Sequence, residues 1–136
     1  RTIRTMPAKL TLTAADLKRG TIIEDASWYP IVITAVKEEM NSKGDAKNII
    51  VDAELLPSSD PNKQKYAGVP IRRYFSEKAP GMAKNYIIAC GVTVGEEGGE
   101  FDLEGSVGRQ MESYIKTRLD DNGRMQNDVV DFRPLK

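Results

Sequence analysis

The sequence predicts one mainly-β domain, five strands curled into a small barrel with one helix between the third and fourth. Three observations carry that expectation. Short runs rich in β-branched and aromatic residues recur along the chain. Two polar, glycine-containing turns, Asn41-Ser42-Lys43-Gly44-Asp45 and Asp120-Asp121-Asn122-Gly123-Arg124, fall between such runs at hairpin length. A single apolar stripe at helical spacing (Met82, Tyr86, Ile87 and Cys90) follows the third run.

The elements follow in order. Residues 1–27 are weakly patterned and are read as an N-terminal extension to a barrel domain at 28–136. Thr13 is placed to cap a short helical turn through Lys18, which Gly20 ends. Met6 reads as the natural first residue, with residues 1–5 foreign to it. The first strand is expected from Trp28 to Glu39, with Pro30 tolerated near its start. The second runs from Ala46 to Leu56, where Ile49, Val51, Ala53 and Leu55 alternate with Asn48, Ile50, Asp52 and Glu54. A long polar loop fills 57–67. The third strand spans Gly68 to Phe75. The helix then covers Met82 to Ala89, ended by Gly91. The fourth strand spans Arg109 to Leu119, with Met111, Ser113, Ile115, Thr117 and Leu119 facing inward. The last runs from Gln126 to Phe132, and Pro134 stops it. This β-β-β-α-β-β order is that of an OB-fold barrel.

Composition narrows the chemistry. The 136 residues hold one cysteine, Cys90, and no histidine. No disulfide forms within the chain, which suits a reducing, cytoplasmic setting. Without histidine, a Ser-His-Asp or Cys-His centre cannot be built, and a zinc site lacks its usual ligands. No apolar run is long enough to span a membrane, and no signal peptide is expected. Asp120 and Asp121 invite a metal reading, but acids beside Asn122-Gly123 are ordinary turn chemistry. The run Gly91 to Gly99 carries Glu96 and Glu97 and no Lys-Ser/Thr ending, so it is no phosphate loop. Ser42, Ser58 and Ser106 have no base partner, and Cys90 reads as a packed small residue. Neither an enzyme, a cofactor nor a metal is expected.

Binding is the remaining class. Formal net charge is zero, which counts against a protein that coats polyanions. The charge is segregated, however. Residues 92–107 hold Glu96, Glu97, Glu100, Asp102 and Glu104 with no Lys or Arg, leaving the rest of the chain basic by five charges. Single strands are held by rings that stack bases and by cations that follow phosphates. Strand alternation puts Arg72 and Tyr74 on one face of the third strand, and Tyr114, Lys116 and Arg118 on one face of the fourth. Lys43 and Lys47 lie at the first hairpin and Arg124 at the second. These eight residues are the candidate nucleic-acid-binding set. The competing reading is that polar residues on a wet β-face only keep it soluble.

Several segments together carry a resemblance. They are Trp28-Tyr29-Pro30-Ile31-Val32-Ile33, Asn41-Ser42-Lys43-Gly44, Tyr74-Phe75-Ser76-Glu77-Lys78-Ala79-Pro80-Gly81 and Ile88-Ala89-Cys90-Gly91. Phe101 to Arg109, Asp121 to Asn127 and Val130 to Pro134 complete the pattern. The chain resembles the small single-stranded DNA-binding proteins of phage replication and recombination cassettes. The resemblance implies an OB-fold, a helper role without turnover, replication or recombination proteins as partners, and the cytoplasm of a bacterial host. It does not fix which side chains touch DNA. The ending Arg133-Pro134-Leu135-Lys136 departs from the acidic tail of many such proteins. A homo-oligomer is compatible with this reading. The alternative is an OB-like protein-interaction module of a phage replication or virion assembly, docking through barrel edges or the acidic segment without nucleic acid.

Overall fold

The structure is a computed structural model and describes residues 8–135. The reading of Met6 as first residue lies outside them. Five antiparallel strands form one sheet: β1 (Ser27–Met40), β2 (Lys47–Leu55), β3 (Pro70–Ser76), β4 (Gln110–Leu119) and β5 (Met125–Pro134). Their order across the sheet is β3-β2-β1-β4-β5. A short helix, α1 (Ala14–Lys18), precedes β1, and two more lie between strands: α2 (Pro61–Gln64) and α3 (Lys84–Ala89), the last preceded by a 3-10 turn at Pro80–Ala83. The fold is mainly β and OB-like, with the helix between β3 and β4 and the barrel left open between β3 and β5.

β1 is the strand that makes this shape. Its first half, Ser27–Val32, pairs with β4, and its second, Ile31–Met40, pairs with β2. A bulge between Ile33 and Ala35 bends it from one partner to the other. A second bulge, beside Tyr114 and Ile115 in the β4–β5 ladder, increases the curl.

Alternation sends one face of each strand inward. Tyr29, Ile31 and Ile33 meet Val51, Ala53, Leu55, Met111, Ile115, Val129 and Phe132 in one buried cluster. α3 plugs the open side with Tyr86, whose ring centroid lies 5.0 Å from Phe132 and 5.6 Å from Phe75. Its hydroxyl shares a 2.6 Å hydrogen bond with Ser106 Oγ, so the buried ring has a partner for its polar end. Burial pushes the Tyr86 hydroxyl and the Cys90 thiol up from their ordinary pKa values. Cys90 is thus packed rather than poised, as its sequence context predicts.

Some expectations change. Met82 is 63% exposed rather than part of the helix stripe, because Pro80–Ala83 winds as a 3-10 turn and rotates it away from the α3 face. Ile50 is buried although it lies on the outward side of β2, in register with Lys37 and Tyr74. Inward alternation on β4 holds at Met111, Ser113 and Ile115 but lapses at Leu119, which is 61% exposed. The β4–β5 hairpin runs past the barrel there, pairing Leu119 with Met125, which is also exposed. The loop at 57–67 contains α2. Asp60 Oδ1 accepts from the Asn62 N–H at 2.9 Å and Pro61 takes the first helical position.

The segment ahead of β1 is joined to the barrel. Ile23 is fully buried, and Asn127 accepts from its N–H at 2.8 Å while donating to the Thr21 carbonyl at 2.8 Å. Thr13 caps α1 as expected: its Oγ1 accepts from the Asp16 N–H at 3.1 Å, and Asp16 accepts back from Thr13 N–H at 2.9 Å. Among the described residues no helix is long and apolar enough to cross a membrane.

Candidate nucleic-acid interface

The same alternation that fills the core leaves an outward wall. Two ring-and-cation clusters stand on it. The first spans β1, β4 and β5. Tyr29 points inward, so Trp28 points outward, in register with Tyr114. Their rings meet edge to face, centroids 5.5 Å apart. Arg133 is in register with Glu112, and its Nε donates to Glu112 Oε1 at 2.8 Å. That pairing sets the guanidinium over the Trp28 ring, 4.1 Å from its centroid.

The second cluster lies on β2 and β3. Arg72 is in register with Asp52 and forks onto it, Nε to Oδ1 at 2.6 Å and the second nitrogen to Oδ2 at 3.2 Å. A longer bond, 3.4 Å, reaches the Tyr74 hydroxyl, and the guanidinium is 5.9 Å from that ring's centre. Asp52 first, then the Tyr74 hydroxyl, hold the Arg72 pKa well above its ordinary value. Tyr74 is half exposed.

The eight predicted residues are therefore distributed as follows. Arg72 and Tyr74 come together. Tyr114, Lys116 and Arg118 stand in a row on the outward side of β4, with Arg118 Nε 3.9 Å from Asp128. Lys43 is exposed in the β1–β2 turn. Lys47 opens β2 on the same side as Ile49 and Val51 and reaches solvent because it is the strand's first residue. Its backbone N–H is held by Glu77 at 2.8 Å. Arg124 is exposed in the β4–β5 turn, its N–H on Asp120 at 2.9 Å. The two turns lie past opposite ends of the β1–β4 pair.

The clusters are well separated. Tyr74 is in register with Ile50, and Ile50 with Lys37, nine residues along β1 from Trp28. That is about 30 Å of strand at the usual rise per residue. Carboxylates are interleaved with the cations: Asp52, Glu54, Glu112, Asp128 and Asp131 share the wall. It is a wall of mixed charge.

Sequence reading missed Trp28 and Arg133 as site residues. Trp28 was legible, since a buried Tyr29 forces its neighbour outward. Arg133 was not, because its place over the indole follows from the β4–β5 register. Arg73, by contrast, lies on the inward side of β3. Its guanidinium covers Phe75 at 4.9 Å, and its Nε is buried with no hydrogen-bond partner among the described residues. Among those residues no group of three or more Asp, Glu or Cys side chains is arranged to hold a metal ion.

No protein-family model matches the chain, and no curated protein matches it.

Proposed function

We propose that the chain binds single-stranded DNA with little sequence preference, through the outward wall of its sheet. The observation that carries this reading is the repeated pairing of an outward ring with a guanidinium, Arg133 over Trp28 beside Tyr114, and Arg72 beside Tyr74. Rings supply sequence-tolerant stacking faces, worth about 1–3 kcal/mol per base, and the cations supply phosphate contacts. The OB-like strand order supports the same reading, since that fold presents the outside of β2–β3 and its flanking loops to oligonucleotides. Lys116 and Arg118 along β4, with Lys43, Lys47 and Arg124 at the turns and strand ends, serve as phosphate contacts. The resemblance to phage proteins makes the ligand an intermediate of replication or recombination in a bacterial cytoplasm, with the proteins of that cassette as partners.

The interleaved carboxylates favour a second reading, an OB-like module that docks on a protein. One titration separates them. Trp28 is the sole tryptophan and lies on the wall, so its fluorescence reports binding directly. Adding oligo-dT at low salt is expected to quench it with saturation, and a gel shift is expected to run in parallel. Affinity should fall as salt rises, because phosphate contacts release counterions. No shift and no quenching at low salt would remove the DNA reading and leave the protein-docking one.

A further inference from the structure

The second half of β1 has an open side. At Ile31 and Val32 both edges of β1 are paired, and at Ile33 the backbone of Gly108 and Arg109 still closes the β4 side, with bonds of 2.7 and 2.9 Å. From Thr34 to Met40 only β2 lies alongside, and β4 does not extend that far. A cleft of about 580 Å³ occupies the place of the missing strand. Its floor is apolar, made by half-buried Val36, Ile49, Phe101 and Leu103. Its far bank is the segment Glu100–Glu104, where Phe101 and Leu103 turn in and Glu100, Asp102 and Glu104 turn out to solvent. None of those three carboxylates is in an ion pair among the described residues. An unpaired strand edge beside an apolar floor and an acidic bank fits an extended peptide with alternating apolar residues and positive charge.

The chain itself contains such a peptide. Ala8-Lys9-Leu10-Thr11-Leu12-Thr13 alternates as a strand does, yet it belongs to no sheet. Leu10 is 91% exposed and Leu12 61%. Residues 1–15 carry Arg1, Arg4 and Lys9 and no acid, opposite in sign to the bank of the cleft. The arm is rooted by the Thr21–Asn127 and Lys18–Ala67 bonds. Asn127 lies beyond the Ser27 end of β1, whereas the cleft flanks its Met40 end. The nearer root, Lys18 and Arg19, lies beside Ala67 and shares a cleft with Thr34, Asp52 and Arg72 on the outward side of the sheet, whereas the floor at Val36 and Ile49 is on the inward side.

We propose that the arm at residues 8–13 of one copy adds as a strand to the free Thr34–Met40 edge of a second copy, with Leu10 and Leu12 on the apolar floor and Lys9 against Glu100 and Asp102. This surface is separate from the ring-bearing wall, so the inference stands whether or not the chain binds DNA.

Sedimentation equilibrium of the full chain from low to high micromolar tests it. The wild type is expected to self-associate, and the pair Leu10→Asp and Leu12→Asp to weaken association about tenfold or more. Both leucines are solvated, so the variant should keep the wild-type circular dichroism and Trp28 emission. Asp102→Lys should weaken association by opposing Lys9. A spin label at Leu10→Cys in one copy should broaden amides of Val36–Met40 in a second, isotope-labelled copy. A monomer at every concentration overturns the proposal, as does association indifferent to the leucines. Broadening confined to amides elsewhere, or seen only when the spin label and the isotope are carried by the same chain, does so too.

Discussion

Arg133 and Arg72 each lie beside an outward ring, but their carboxylate partners hold them differently. Glu112 is nearly enclosed, 14% exposed at the side chain, and takes a single nitrogen of Arg133, leaving the guanidinium over Trp28 at 4.1 Å. Asp52 is more open and grips Arg72 through two nitrogens, leaving it 5.9 Å from the Tyr74 ring. In the first cluster the carboxylate aims the cation at the ring. In the second it occupies the donors a phosphate would need. A cation near an aromatic face is therefore not automatically a cation available to DNA. The β1–β4–β5 cluster is the better organised stacking site, and the β2–β3 cluster is held in check by Asp52.

The largest expected effect follows. Replacing Trp28 and Tyr114 together by alanine should lower oligo-dT affinity by about a hundredfold or more, two stacked bases at about 1–3 kcal/mol each. Tyr74→Ala should cost about tenfold on the same scale. Gel shifts at one fixed salt concentration measure both. Equal losses from the two clusters would break the comparison.

A pH effect separates the inward tyrosines from the wall. Burial, followed by the neighbouring Tyr66 and Asp25, raises the Tyr29 pKa from 10.0 to about 12. A tyrosine is neutral when protonated, so the folded protein holds this proton more tightly than the unfolded chain. The stability it contributes is complete below pH 10 and is lost as pH climbs through 12. Urea midpoints should fall between pH 9 and pH 11, and fall less in Tyr29→Phe. That variant starts about 1 kcal/mol lower at neutral pH, having lost the 2.5 Å bond from Tyr29 Oη to the Asp25 carbonyl. An identical fall in both proteins would mean that Tyr29 ionises no later than a solvated phenol.

How much of this was legible turns on distance along the chain. β1 to β5 fall close to their sequence-predicted ranges because period-2 alternation and the Asn-Gly turn are local signals. Thr13, Gly91 and Cys90 were legible for the same reason. Ile23 was not, since one apolar residue in an unpatterned stretch says nothing until Asn127 fastens it to β5. Ile50 was placed outward correctly and yet is buried, which alternation cannot foresee. At the site, Arg72 and Tyr74 were found from spacing alone. The Asp52 fork that restrains Arg72 depends on the β2–β3 register, and the Arg133–Trp28 contact on the β4–β5 register. Sequence thus supplied the groups on each strand, and pairing between strands decided what each group is free to do.

The carboxylates give a sharper test of the difference. Glu112→Gln removes a nearly enclosed charge that fixes Arg133, and should cost about 2 kcal/mol of stability, between the values for exposed and buried pairs. Asp52→Asn breaks a more solvated pair and should cost about 1 kcal/mol or less. On DNA the signs should part. Asp52→Asn frees Arg72 and removes a repelling charge, so oligo-dT affinity should rise by about twofold to fivefold, the scale of one exposed charge contact. Glu112→Gln should not raise it, because Arg133 loses its aim at Trp28. Urea unfolding and gel shifts on the two variants decide the point. A gain from Glu112→Gln as large as that from Asp52→Asn would make both clusters mere charge sums.

The smallest effect concerns the row on β4 past Tyr114. Lys116 is exposed and in no ion pair among the described residues, whereas Arg118 lies 3.9 Å from Asp128. If Lys116 meets a phosphate, Lys116→Ala should make the salt dependence of binding shallower by about 0.7 in log affinity against log salt, the increment for one contact to a single strand. Stability should be unchanged, since no partner is stranded. Arg118→Ala should alter the slope less, because Asp128 already neutralises part of that charge. Titrations at several salt concentrations give both slopes. A steeper change from Arg118 than from Lys116 would place the DNA path along the far side of the hairpin and away from the Trp28 cluster.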